Sequence, residues 1–400
     1  MIDMVRTGFK NAYKFSLVCL IMILVVVGRI RHSFTQLPAD PGLDRIREVK
    51  LESFRALWST SLGYLDISAR TPPLLSSLFG LRDQAIALSG ITAMITVVLA
   101  LIIFVAVMTE TGSLLKGLIC SILFAAVPSA ALSTVGNHGS LKWPLFATLG
   151  IVLCSPQTMK TWPRATIALS LFVGLSNPFA ILAGIGMFAT RRINISRIFS
   201  QQKLIWMVLI CSTALQAIVW KMSGNGTQLY GTAGVYRAWP GMGVLWFWLW
   251  IGPPVCAIAG IIGFSTLKSV RSMDHGWFAL RILTVSLTIF IVTYIESGIK
   301  DSMAVASQST ALIGLSMLCI DVASGKKVVL RLCALAGLLL IFSGTFRWYG
   351  AQGNFFEGQP WRNLMDIAVT DCRTSPQEMP LIQNGISVVE LTCKELKLWN

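Results

Sequence analysis

Charged residues are scarce in this chain. They make up only 13% of its 400 residues, against about 25% in an ordinary soluble domain, whereas 54% of the residues are hydrophobic. So small a charged fraction excludes a typical soluble enzyme and predicts that lipid surrounds most of the molecule. Lys and Arg outnumber Asp and Glu by 33 to 18, and they lie mainly between apolar runs. This placement favours membrane lipids as partners over nucleic acid, which we do not expect to bind.

Metal-binding side chains are equally few. The chain has three histidines and no Cys-x-x-Cys pair, so we expect no structural zinc site. Most of the nine cysteines lie in or beside apolar stretches, where a thiol acts as a small core residue. Cys372 and Cys393 fall in a polar tail instead. If that tail is outside the cell, where disulfides persist, these two cysteines are the pair expected to close a loop.

Long apolar runs predict transmembrane helices. The first run, residues 15–27, follows a basic amino terminus, and no small-x-small cleavage site comes after it, so we expect an uncleaved helix. Further runs approach or exceed the length that crosses a hydrocarbon core of about 30 Å. They cover residues 86–108, 114–132, 141–154, 204–220, 243–264, 282–295, 304–320 and 328–343. The predicted fold class is all-α, a polytopic transmembrane helix bundle with about nine to eleven spans.

Basic residues between the runs predict the orientation. Assigning the Lys- and Arg-rich turns to the cytoplasm places the amino terminus inside and the carboxyl terminus outside the cell membrane. This alternation requires residues 165–189 to enter and leave on the cytoplasmic side. We therefore expect two short helices there, broken at Ser176, Asn177 and Pro178 and enclosed by protein.

Four regions follow from this orientation. Residues 1–28 form the cytoplasmic terminus and first helix, 29–85 an outer loop, 86–344 the helix bundle and 345–400 an outer tail. Within the outer loop, residues 43–58 mix apolar and charged side chains and predict an amphipathic helix on the membrane surface. Pro72 and Pro73 predict the start of a second short helix that runs through Leu81.

The outer loop carries acidic residues at the level expected for the headgroup of a lipid-linked substrate. A carboxylate at that level can act as general base on an acceptor hydroxyl. The candidate catalytic residues are Asp40, Asp44 and Asp66, with Glu48 and Glu52 as further acids. The alternative is a solvated face in which these acids pair with neighbouring Arg and Lys residues.

Basic and polar residues on the same side form a second set of candidates for substrate binding. Arg70 and Arg82, together with Lys142, can bind a phosphate, or else anchor the chain to lipid headgroups. Asn137 and His138 lie in the turn GNHGSLKW. His138 can move a proton or bind a sugar there, whereas a simple Asn and Gly turn explains the same residues. The apolar runs hold almost no charge at mid-depth, which disfavours an ion-coupled transporter.

Several stretches resemble a family of actinobacterial polytopic membrane proteins with the architecture of GT-C glycosyltransferases. The similar pieces are LGYLDISAR, GNHGSLKWPLFATLGIVLC, GLSNPFAIL, GQPWRNLMDIAVTDC and LTCKEL. The resemblance implies transfer of a sugar from a polyprenyl-phosphate donor to an outer acceptor, with inversion at the anomeric carbon and an acidic base in the first outer loop. It leaves open whether a divalent metal takes part. The alternatives are a lipid-linked sugar flippase or exporter and a noncatalytic envelope-assembly protein.

Thiol labelling of intact cells tests the predicted orientation. After mild reduction, a membrane-impermeant maleimide should label Cys372 from outside, because the tail is expected on the oxidising side of the membrane. Mass spectrometry of the tail peptide measures the labelling. Reaction of Cys372 only after the cells are permeabilised would place the tail in the cytoplasm.

Overall fold

A computed structural model gives the fold of the protein. It describes residues 15–28, 42–61, 64–126, 141–188, 202–223, 278–288, 301–323, 328–347, 360–374, 381–384, 387–390, 392–394 and 396. The described residues are predominantly helical, as predicted, with two short antiparallel strand pairs in addition.

The helices and strands are numbered here in chain order. The helices are α1 (Phe15–Gly28), α2 (Gly42–Glu52), α3 (Ile67–Ser76), α4 (Gln84–Thr111), α5 (Leu114–Ala125), α6 (Lys142–Leu153), α7 (Pro156–Thr161), α8 (Pro163–Gly174), α9 (Lys203–Met222), α10 (Phe278–Thr288), α11 (Asp301–Ala323), α12 (Val328–Arg347) and α13 (Trp361–Thr374). Segments of 3-10 helix cover Ser53–Trp58, Leu81–Asp83 and Ala180–Phe188. Strand β1 (Thr60–Ser61) pairs with β2 (Tyr64–Leu65), and β3 (Leu381–Asn384) pairs with β4 (Ser387–Glu390).

Two helical stretches are long and apolar enough to cross a membrane, by length and composition alone. They are Leu81–Thr111, which is α4 with the 3-10 turn before it, and α9. The other apolar stretches have 10–17 residues each, and for α11 and α12 these are the parts Thr310–Ala323 and Val328–Leu339. Helices are confirmed wherever the structure describes a predicted run, although α5 and α10 cover only parts of theirs. The predicted run 243–264 lies outside the described residues.

Helix α6 lies at the centre of the main apolar core. All of its residues from Leu145 to Leu153 are buried, as is Trp143. A helix that is apolar on every side needs neighbours on every side. Helices α4, α8, α11 and the 3-10 segment Ala180–Phe188 supply them, and α10 approaches so closely that a Cβ on Gly150 would lie 2.6 Å from Val285 Cγ1.

Polar contacts gather at the end of the core where α4 and α6 finish. Gly112 ends α4 in the left-handed conformation, with φ 67°, and Ser113 then caps α5. Glu110 accepts hydrogen bonds from Ser155 Oγ at 2.8 Å and from the Gln157 amide at 3.2 Å. The carboxylate of Glu110 therefore holds the first turn of α7 against the end of α4.

A second apolar cluster joins the start of α4 to the carboxyl-terminal tail. It contains Ile46, Leu81 and Leu88 together with Trp361 and Met365 of α13. The indole of Trp361 donates a hydrogen bond of 2.7 Å to the Leu81 carbonyl. We call residues 42–83 with the described residues of 360–396 the loop–tail module.

The predicted disulfide is confirmed within the loop–tail module. Cys372 of α13 is bonded to Cys393, with 5.4 Å between their Cα atoms. Both cysteines are buried in the second apolar cluster. The bond therefore links α13 to a later segment of the tail within the cluster that also contains the start of α4.

The predicted break in residues 165–189 is also confirmed. Helix α8 ends at Gly174, and the 3-10 segment begins at Ala180 after Asn177 and Pro178. A Cβ on Gly174 would meet Ser212 of α9, whereas one on Gly184 would meet Trp206, six residues nearer the start of α9. At 1.5 Å per residue, these contacts lie about 9 Å apart along α9. Between Gly174 and Gly184 the chain therefore advances along α9 from Ser212 toward Trp206.

Two predictions for the first loop are wrong in detail. The second helix of the loop begins at Ile67 and ends at Ser76, because Asp66 caps it ahead of Pro72 and Pro73. Residues 43–58 are not one surface helix, since α2 ends at Glu52 and a 3-10 segment follows. Ile46 and Val49 of α2 are buried inside the protein and do not face outward.

The close packing of α8 on α9 leads to a stability prediction. A Cβ added at Gly174 would lie 2.1 Å from Ser212 Oγ, so Gly174→Ala should lower the free energy of unfolding by about 1–3 kcal/mol. Adding Ser212→Gly should restore much of that loss because it removes the clashing side chain. Gly90→Ala is the control, since nothing lies within 4 Å of the added Cβ. Thermal unfolding in detergent measures all four proteins, and equal losses for Gly174→Ala and Gly90→Ala would contradict the packing.

Candidate functional site at the junction of loop and core

Arg70 is a buried cation in the first loop. It lies in α3, its side chain is 4% exposed, and its Nη1 atom forms an ion pair with Glu48 Oε2 at 2.5 Å. Glu48 is 27% exposed and also accepts a hydrogen bond from the Ser59 hydroxyl. In the described part of the chain, Arg70 Nε has no hydrogen-bond acceptor. A buried N–H group of a charged side chain without an acceptor is costly, so this atom is suited to an added anionic oxygen.

Lys142 is a second cation near the place where the first loop meets the helical core. We call this place, around strands β1 and β2, the junction. It begins α6, and its ammonium group contacts the Tyr64 hydroxyl. The same Nζ atom lies 4.8 Å from the centre of the Tyr64 ring and 5.4 Å from that of Trp143. The two aromatic rings thus hold the position of the ammonium group.

The β1–β2 hairpin lies between the two cations. Arg70 Nη2 donates to the Thr60 carbonyl at 3.5 Å, and Thr60 pairs with Leu65 next to Tyr64. One short hairpin therefore carries the contacts of both Arg70 and Lys142. The position of the hairpin therefore affects the positions of the Arg70 and Lys142 charges.

Gln216 of α9 holds this hairpin on the helical core. Its Oε1 atom accepts from the Leu65 amide at 2.9 Å, and its Nε2 atom donates to the Leu65 carbonyl at 3.1 Å. The same Nε2 atom donates to the Gly174 carbonyl at 3.1 Å. The amide is buried, so each of these bonds replaces water that cannot reach the site.

The break between α8 and the following 3-10 segment meets the start of α3. Ser176 Oγ accepts a hydrogen bond of 3.1 Å from the Ser68 amide. Asn177 is 1% exposed, and its Oδ1 atom accepts from the Phe179 amide at 2.9 Å. Among the residues the structure describes, Asn177 Nδ2 has no acceptor. The residues of the break therefore contact the start of α3 at the junction.

Asp66 has a structural position in the junction. Its Oδ1 atom accepts from the Ser68 hydroxyl at 2.8 Å and from the Ala69 amide at 3.1 Å. The residue is only 2% exposed. Its carboxylate thus caps α3, and an acceptor molecule has little access to it.

The structure brings some of the predicted site residues together. Arg70 contacts Thr60 of the β1–β2 hairpin, Lys142 contacts Tyr64 of it, and Asp66 follows it directly in the chain. Asp44 lies in α2 one turn before Glu48. Asp40, Asn137 and His138 lie outside the described residues. Sequence reasoning missed Gln216 and Tyr64. Gln216 had a signal, since it is a lone amide in an apolar run.

Neither a search for metal-binding groups nor comparison with known proteins identifies further site residues. Among the described residues, no three His, Cys, Asp or Glu side chains come together as a metal site would require. Comparison with protein-family models and with curated proteins finds no match to this chain.

Replacing Gln216 tests whether the junction depends on its amide. Gln216→Leu keeps most of the volume but leaves the backbone groups of Leu65 and Gly174 without this partner. We expect the free energy of unfolding to fall by about 2–3 kcal/mol, since a buried unsatisfied group costs about 1–3 kcal/mol. Leu215→Ala is the control on the same helix, because Leu215 is 39% exposed. Denaturant titration in mixed micelles measures both variants, and a larger loss for Leu215→Ala would contradict the role of Gln216.

Proposed function

We propose that this chain is a multi-pass protein of the cell membrane, with a cytoplasmic amino terminus and the loop–tail module outside. Two membrane-length apolar helices and the shorter apolar helices of the core support this placement. Helix α4 has 28 residues and is thus about 42 Å long. This length is enough to place the loop–tail module at its start and Glu110, near its other end, on opposite sides of a bilayer. The disulfide of the tail suits an oxidising compartment.

The proposed activity is transfer of a sugar from a polyprenyl-phosphate donor to an acceptor outside the cell. The observation that carries the proposal is the buried Arg70, whose Nε atom lacks an acceptor among the described residues, beside a hairpin that also contacts Lys142. Two fixed cations at one end of a lipid-facing core suit a lipid phosphate. The polyprenyl chain would remain in lipid next to them.

In the proposed reaction, a carboxylate takes the proton of the acceptor hydroxyl. The acceptor oxygen then forms a bond to the anomeric carbon as the bond from that carbon to the phosphate oxygen breaks. Polyprenyl phosphate leaves with the bonding electron pair, and the configuration inverts. Asp40, Asp44 and the partly exposed Glu48 are the candidate bases, whereas capping of α3 occupies Asp66. Arg70 and Lys142 would stabilise the negative charge that develops on the phosphate.

Consumption of donor by the purified protein tests this proposal. Lys142→Met should reduce consumption of a polyprenyl-phosphate sugar about tenfold or more, because it removes a charged contact to the phosphate. One of Asp40→Ala, Asp44→Ala and Glu48→Gln should reduce it about a hundredfold or more as the loss of a general base. Arg82→Gln is the control, since Arg82 is 60% exposed and pairs with Asp366 at the surface.

The wild-type protein decides the outcome of that experiment. If it consumes none of a panel of polyprenyl-phosphate sugars, the transferase proposal fails. If it consumes a donor but every acidic variant keeps full activity, the proposed base is wrong. Melting temperatures recorded in parallel separate loss of chemistry from loss of fold.

A noncatalytic role in envelope assembly is the second candidate. The docking of the tail onto the first loop favours it, because Trp361, the disulfide and two surface ion pairs hold a rigid module that could present a binding surface. This role predicts that Trp361→Ala abolishes function in cells while all the acidic variants retain it. The transferase proposal predicts loss of function with one acidic variant.

A further inference from the structure

Six large apolar side chains are exposed on the described part of the first loop, and Trp58 and Leu75 are two of them. Of the other four, Leu51 is 65% exposed, Phe54 73%, Leu78 84% and Phe79 52%. Single exposed apolar residues are ordinary, but a contiguous group usually marks a contact surface. We call these four residues the loop patch.

Lys50 brings the two halves of the loop patch together. Its ammonium group donates to the Ser77 carbonyl at 2.8 Å and to the Phe79 carbonyl at 3.3 Å. These bonds hold the last turn of α2 beside the turn that follows α3, so Leu51, which follows Lys50, and Leu78 and Phe79 lie on neighbouring segments. Phe54 lies three residues further along the chain from Leu51. Partial burial lowers the pKa of Lys50, in keeping with its position between these two segments.

The loop patch continues into an exposed stripe on α4. Ile86 is 42% exposed, Met94 60% and Val98 48%, and their spacings of eight and four residues place them on one face of the helix. This face begins a few residues after Phe79. If α4 crosses the bilayer, lipid contacts this stripe, and the same lipid surface extends to the loop patch.

The length of α4 sets the depth of the loop patch. Its 28 residues extend about 42 Å, whereas the hydrocarbon core is about 30 Å thick. The first turns of α4 therefore reach the headgroup layer, where Phe and Leu commonly insert beside basic residues. Arg55, next to Phe54, is exposed and suits an anionic headgroup.

We propose that the loop patch inserts into the interfacial layer of the bilayer and that anionic lipid is its partner. The inference rests on the membrane placement within the proposed function, but not on sugar transfer. It differs from the sequence expectation in the residues involved, since Ile46 and Val49 of α2 face the protein interior. Insertion would hold the junction of Arg70 and Lys142 at the level of lipid phosphates.

Fluorescence quenching tests the insertion on the full-length protein. A noncanonical residue that carries a click handle replaces Leu78, and a second variant carries it at Phe54, so the native cysteines remain unchanged. Each receives an environment-sensitive fluorophore in nanodiscs that contain anionic lipid. The control position is Asn363, which is exposed on α13 of the same module. Lipids with a nitroxide near the headgroup should quench positions 78 and 54 several-fold more than position 363, and aqueous iodide should show the reverse order.

Two results would overturn the inference. Equal iodide quenching at positions 78, 54 and 363 would place the loop patch in water. Protection of positions 78 and 54 from both quenchers would show that protein covers them, either another segment of this chain or a second copy. A protein that shows the expected quenching yet consumes no sugar donor would retain the lipid contact and lose only the transferase proposal.

Discussion

Gln216 is an amide in a mostly apolar helix, and it bonds to the backbone of both Leu65 and Gly174. These two residues belong to segments that are far apart in the chain and would each leave backbone groups unpaired at a buried contact. One side chain satisfies both segments, so the loop and the broken helix have one position relative to α9. The places of Tyr64 and, through the hairpin, of Arg70 follow from that position.

The loop is held at its other end by a different kind of contact. The Trp361 indole and the apolar cluster around it fix Leu81 at the start of α4, and the disulfide closes the tail behind them. The ion pairs nearby, Arg362 with Asp83 and Arg82 with Asp366, are more than half exposed. Exposed pairs contribute little to stability, so burial of apolar surface is the main support of this end.

Local patterns in the sequence were enough to predict the helices, the break at Asn177 and the disulfide. The apolar runs and the Asn-Pro step are local signals that act within a few residues. The two cysteines could be paired because they are the two that lie in the polar tail. Gln216 contacts Leu65 across 151 residues, and no short pattern records such a contact. The same reason explains the missed start of α3, because the two prolines gave a stronger local signal than the Asp66 cap.

The Arg70 ion pair limits what the candidate site can bind. Glu48 already neutralises the Nη1 side of the guanidinium, and Ser59 holds Glu48 in place. A phosphate that approached from the Nη1 side would meet a carboxylate, and repulsion between the two anions would oppose binding. The Nε atom has no acceptor among the described residues and offers the remaining approach. A phosphate bound as proposed would therefore also need the ammonium group of Lys142, which contacts the Tyr64 hydroxyl and lies 4.8 Å from the centre of the Tyr64 ring and 5.4 Å from that of Trp143.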